Sequence, residues 1–151
     1  MLSTDPSTLA RRADPMTKLF QRALVPVDGS RYMSGVVAHA IAIAKKTDCS
    51  LTFLHVVNVE PASSLDLEKQ KESAAGITEE CRRKATAEDV SASSRVEVGS
   101  PAETIVEVSV REKFDLIIIG SRGKSRLKTL FVGSVADEVM EQASCPVLLV
   151  K

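Results

Sequence analysis

Short runs of apolar, often β-branched residues alternate with stretches of helical periodicity from residue 19 to the end of the chain. Ala23-Leu24-Val25-Pro26-Val27 reads as a short buried strand that ends at Asp28-Gly29-Ser30. Pro26 cannot donate to a ladder, which weakens that strand unless the proline sits at its frayed end. Ser30 is a suitable N-cap for a helix reaching residue 46, in which Val36, Val37, Ala40, Ile41 and Ala44 share a face. Residues 50–57 form a second strand. A helix over residues 67–88 follows, with Ala74, Ile77, Cys81 and Ala85 on one side. Arg95-Val96-Glu97-Val98 is a third strand. Pro101 then opens a helix whose inward residues are Ile105, Val106, Ser109 and Val110. Leu116-Ile117-Ile118-Ile119 is apolar at every position, as a central parallel strand must be. A loop over residues 120–133 leads to a helix from Ser134 to Ala143, with Val135, Val139 and Met140 inward, and Val147-Leu148-Leu149-Val150 closes the series.

Strict βα alternation specifies a parallel sheet covered by helices on both faces. The expected fold is therefore a doubly wound five-stranded α/β sheet of order 3-2-1-4-5. The expected division is a loose extension over residues 1–18, rich in Ser, Thr, Asp and Pro, followed by one domain over residues 19–151.

Charge and composition exclude several function classes. Lys+Arg and Asp+Glu both count 20, which disfavours duplex nucleic acid or an anionic membrane as a partner. Aromatic residues are 3% of the chain, with no Trp and one Tyr, so sites that stack bases or flavins on rings are poorly supplied. Cys49, Cys81 and Cys145 form no C-x-x-C and read as reduced thiols of a cytoplasmic protein. The longest apolar stretch, residues 33–44, is too short to span a bilayer. No apolar segment follows Arg11-Arg12, so this pair is not read as an export signal.

In a doubly wound sheet, ligands bind beyond the carboxyl ends of the strands, where the winding reverses. With order 3-2-1-4-5 the reversal lies between strands 1 and 4, so the informative residues should follow Val27 and Ile119. After Ile119 the sequence reads G-x2-G-x9-G-S, from Gly120 through Gly123 to Gly133-Ser134. Gly120 and Gly123 let backbone amides approach an anion. Gly133-Ser134 begins a helix, whose unpaired amides and positive dipole end favour phosphate. Arg122, Lys124, Arg126 and Lys128 add four positive charges, with no acid between the second and third glycines. The bland alternative is a solvated loop with two ordinary glycines.

Gly123-Lys124-Ser125 imitates the end of a Walker A loop, but position 118, where its first glycine belongs, is Ile. A dinucleotide fingerprint fails because only Gly29 follows strand 1, and a flavodoxin lacks its aromatics here. A phosphoacceptor receiver usually has a pair of acids where this chain has Asp28 alone. Asp28 has two compatible readings, a contact to a ribose hydroxyl or Mg²⁺ and a cap of the helix beginning near Ser30. His39 and His55 have no acids at triad or zinc spacing and read as structural. No general base emerges, so the residues support binding better than catalysis.

These residues together resemble the universal stress protein family, in its nucleotide-binding branch. The resemblance spans residues 19–151. It rests on Val25-Pro26-Val27-Asp28-Gly29-Ser30, Leu54-His55-Val56-Val57, Gly99-Ser100-Pro101, the run from Asp115 to Gly123, Gly133-Ser134-Val135-Ala136 and the ending Cys145-Pro146-Val147-Leu148-Leu149-Val150. The glycine motif separates the family's ATP binders from its non-binders. The resemblance implies that Pro26 and Asp28 border the nucleoside, with Asp28 at the ribose. It also implies that Val56 and Ile119 meet the adenine. Gly120, Ser121, Arg122, Gly123, Lys124, Ser125 and Arg126, with Gly133, Ser134, Val135 and Ala136, would wrap the phosphates. It further implies ATP or AMP with Mg²⁺ or Mn²⁺, and homodimers made by pairing residues 147–150 across a two-fold axis. Arg122 stands where the family often has His, and residues 1–18 form a longer extension than is usual. The expected function is a cytoplasmic, nucleotide-dependent switch in the stress response, read by a downstream protein. A slow ATP hydrolase, with Asp28 on the metal and Lys124 or Arg126 stabilising charge, and a nucleotide-free scaffolding dimer are the alternatives.

Overall fold

The computed structural model describes residues 18–58, 64–123 and 132–151. The strands are β1 (Arg22–Pro26), β2 (Ser50–Val57), β3 (Ala92–Val98), β4 (Leu116–Gly120) and β5 (Val147–Val150). The helices are α1 (Met33–Thr47), α2 (Ser64–Thr86), α3 (Pro101–Arg111) and α4 (Ser134–Gln142). All strand pairs are parallel and the order is β3-β2-β1-β4-β5, as the alternation requires.

The two-residue period of the strands divides the core. Ala23, Val25, Leu51, Phe53, Leu116 and Ile118 pack against α1 and α2. Their neighbours Leu24, Leu54, Ile117 and Ile119 pack against α3 and α4. The chain changes face after β3, and β1 and β4 become the pair between which the winding reverses.

Pro26 shapes that reversal. The Val27 N–H donates to Leu54 O at 2.8 Å, on the β2 side. Alternate residues of a strand present their amides to opposite neighbours, so the amide that Pro26 lacks is one that would face β4. The β1–β4 ladder accordingly stops after Ala23↔Leu116 and Leu24↔Ile117, whereas β1 pairs with β2 as far as Pro26↔Leu54. At the opposite end the Asp115 carboxylate accepts the Gln21 and Arg22 amides at 2.8 and 3.0 Å, and the Arg22 guanidinium lies over the Phe114 ring. The pair is clipped at its amino end and open at its carboxyl end.

Some expectations are corrected. Ser30 is not the cap of α1. The Asp28 carboxylate accepts the Ser30 N–H at 2.9 Å, Gly29 turns with φ 77°, and the helix starts at Met33 behind Tyr32, with no side-chain cap. This local turn competes with helix initiation and wins. α2 starts before residue 67 and ends at Thr86, and β3 begins at Ala92 rather than Arg95. Val110 and Met140 point outward, and Ala102, Val108 and Ala136 take the inward positions beside Ile105 and Val139. Val135 is partly exposed rather than core. Among the described residues no helix is long and apolar enough to cross a membrane.

Candidate functional site

A cavity of about 510 Å³ opens at the carboxyl ends of the strands, where β1 and β4 separate. That size is within the usual range for small-molecule sites. Residues from four elements meet there: Pro26 at the end of β1 and Asp28 after it, Val56 on β2, Ile119 and Gly120 at the end of β4 with Ser121, Arg122 and Gly123 after it, and Gly133, Ser134, Val135 and Ala136 at the start of α4. The sequence-derived residues Lys124, Ser125 and Arg126 lie outside the described residues, as does the extension up to residue 17.

The cavity is tightest where the β1 and β4 loops meet. A Cβ built on Gly123 would lie 2.5 Å from Asp28 Oδ2, and one on Gly120 would lie 2.9 Å from Val36 Cγ2 and 3.2 Å from Arg122 O. Both glycines thus permit a backbone approach that other residues would obstruct. Asp28 is the only acid on the wall among the described residues, and its Oδ1 is held by the Ser30 amide.

The start of α4 supplies donors. Gly133 is the N-cap and no side chain caps the helix. The first-turn amides of Ser134, Val135 and Ala136 have no intrahelical acceptor by helix geometry. They border the cavity at the positive end of the helix dipole. Ser121 has a different part. Its N–H donates to Val150 O and its carbonyl accepts the Gly133 N–H, each at 2.8 Å, which ties the end of β4 to β5 and to the start of α4. The arrangement suits a ligand with an apolar body and an anionic end: Val56, Ile105 and Ile119 are on the wall, and the glycines and helix start gather at the β4–α4 side. Among the described residues no cluster of three or more His, Cys, Asp or Glu side chains could hold a metal ion unaided.

Sequence reasoning missed the wall that α2 builds. Gln70, Ser73, Ala74 and Ile77 face the cavity, joined by His55, Asn58 and Met33. By helical spacing Ala74 and Ile77 share one side of α2 with Cys81 and Ala85. The available signal was positional, because the end of β2 adjoins that of β1 in this strand order, so residues after Val57 and on the next helix can reach the crevice. His55 is a wall residue, whereas His39 is exposed and bonded through Nδ1 to Gly35 O at 2.8 Å. Cys49 and Cys81 are buried free thiols, and burial pushes Cys81 up to about 11.

The family model for the universal stress protein family matches residues 19–151. The chain belongs to the universal stress protein family. The universal stress protein MJ0531 of Methanocaldococcus jannaschii is 34% identical over 141 residues, which cover 88% of this chain and 83% of that one. YxiE of Bacillus subtilis, also a universal stress protein, is 29% identical over 148 residues, covering 88% of this chain and all of its own. Among solved structures, the hypothetical protein MJ0577 superposes with a TM-score of 0.80 at 28% identity, over 88% of this chain and 96% of that chain. A universal stress protein in complex with cAMP superposes with a TM-score of 0.72 at 25% identity, over 87% of this chain and 97% of that one.

Proposed function

We propose that this universal stress protein binds an adenine nucleotide, ATP or AMP, in the cavity between β1 and β4 and acts as a cytoplasmic, nucleotide-dependent switch in the stress response. The observation that carries the reading is the convergence of Gly120, Gly123 and the uncapped start of α4 on one cavity beside Asp28. The complex of a structural relative with cAMP supports the ligand class. In this reading residues 19–151 are the nucleotide-binding domain and residues 1–18 an appendage. Val56 and Ile119 receive the base, Pro26 and Asp28 border the ribose, and the glycines with Ser134, Val135 and Ala136 donate to phosphate. Arg122, Lys124, Ser125 and Arg126 add charge and hydrogen-bonding capacity. The uncapped helix start and close glycine approach suit a phosphate chain. The lone carboxylate of Asp28 suits Mg²⁺ or Mn²⁺ held mainly by that chain rather than by the protein. The chain pairs with a second copy along β5, an edge strand of the sheet, and a downstream protein reads the bound state.

Hydrogen exchange tests the switch. Saturating Mg-ATP should slow exchange of the amides of residues 122–123 and 134–136 by about tenfold or more, as newly bonded donors are withdrawn from solvent. Unchanged exchange in both segments with ATP bound would remove the switch.

A further inference from the structure

The chain's one tyrosine lies beside two cations, one of which, Arg122, lines this cavity. Tyr32 precedes α1, where the Met33 N–H donates to Ser30 O at 3.1 Å. Arg31 Nη2 donates to Tyr32 Oη at 2.9 Å, and the Arg31 guanidinium carbon is 5.0 Å from the ring centroid. The Arg122 guanidinium carbon is 5.6 Å from the same centroid. Arg122 stands on the cavity wall between Gly120 and Gly123. The first turn of α1 contains no acid, and no side chain caps the helix, so its dipole adds to the positive field. Asp28 is the opposing charge on the described wall. One aromatic surface therefore gathers two planar guanidiniums, which repel each other and suit bidentate binding of phosphate oxygens.

From this geometry we infer that Arg31 and Tyr32 determine specificity by counting phosphates. Tyr32 is a positioning residue that holds the Arg122 guanidinium at the cavity mouth, and the Arg31–Arg122 pair favours a nucleoside di- or triphosphate over a monophosphate. The inference rests on the nucleotide reading above. A monophosphate engages the glycines and the start of α4. Each further phosphate extends outward, toward exposed Arg31, and relieves the repulsion between the two cations.

Calorimetry with ATP and with AMP, on the full chain and its variants, reads the ratio of the two affinities. The unaltered protein should prefer ATP. Arg31→Gln and Tyr32→Leu should each reduce the ATP-to-AMP ratio about tenfold, the effect of losing a charge-assisted contact. Tyr32→Phe keeps the ring and should retain most of the ratio. A ratio within twofold of the unaltered protein's in both Arg31→Gln and Tyr32→Leu overturns this inference and leaves nucleotide binding standing. Failure of the unaltered protein to bind either nucleotide overturns both. A second readout needs no variant. With one Tyr and no Trp in the chain, absorbance titration of the phenol follows Tyr32 alone. The hydrogen bond from Arg31, with Arg122 adding, holds this hydroxyl below its ordinary value. Bound ATP brings negative charge close to the phenol, so the titration midpoint should rise, and rise less with AMP. A midpoint unmoved by saturating ATP contradicts the inference.

Discussion

Pro26 and Gly123 show how single residues make the crevice. Pro26 ends the ladder between β1 and β4 because it has no amide to offer. Gly123 then lets the β4 loop settle against Asp28, where a side chain would collide at 2.5 Å with a carboxylate already holding Ser30. Gly123→Ala should therefore displace Asp28 and weaken nucleotide binding by about tenfold, the effect of disturbing roughly one charged hydrogen bond, with a small change in urea midpoint. Gly120→Ala should differ. Its new methyl meets Val36 and the Arg122 carbonyl, and overpacking of this kind costs about 1–3 kcal/mol. Calorimetry and urea unfolding of the two variants separate these outcomes. If Gly123→Ala binds nucleotide as well as the unaltered protein, the contact between loops has no part in binding.

At the scale of elements, the strands were the most legible part of the sequence, because Leu116-Ile117-Ile118-Ile119 and its neighbours carry an apolar, β-branched pattern that few other conformations accommodate. Helix faces were less legible. Val110 and Met140 satisfy the period as well as Val108 and Ala136 do, and only tertiary packing chooses between them. The start of α1 was misjudged because Ser30, a good cap by type, is captured two residues from Asp28. The α2 wall was invisible for a related reason: Ala74 and Ile77 fit a core face, and periodicity alone does not separate a core from a cavity lining. α2 also yields a pH prediction. Arg82 Nε donates to both Glu79 oxygens at 2.9 and 3.0 Å, and Ser94 on β3 donates at 3.2 Å. The Arg82 hydrogen bond, assisted by its charge, holds Glu79 at about 2, below the ordinary 4.5. A depressed carboxylate stabilises the fold fully above pH 4.5, and this support fades as pH falls toward 2. The urea midpoint of Glu79→Gln should thus lie slightly below that of the unaltered protein near pH 7, as befits a half-buried pair still open to solvent. The gap should narrow as the pH falls below 4. A gap independent of pH would assign the loss to packing.

On the scale of the whole molecule, the open question for the sheet is its β5 edge. The carbonyls of Pro146 and Val150 are taken by Ile117 and Ser121, so by strand alternation Val147 and Leu149 present their main-chain groups to the open side. A second copy pairing there would satisfy both. Leu149→Pro removes an outward amide without touching the β4 ladder, and should convert a dimer of twice the chain mass into a monomer in light scattering at micromolar concentration. An unaltered dimer in that variant would move the interface elsewhere. The strand order and the crevice follow from the same topology, which is why the alternation of strands and helices already implies a crevice between β1 and β4. We propose that this crevice takes an adenylate by its phosphates. The most direct measurement is a calorimetric titration of the full chain with Mg-ATP, repeated with adenosine. ATP should bind saturably and one-to-one at roughly micromolar Kd, the yield of a few charge-assisted phosphate contacts after ordering costs, and adenosine at least about tenfold more weakly. No heat from ATP at millimolar concentration, or equal affinity for adenosine, would contradict it.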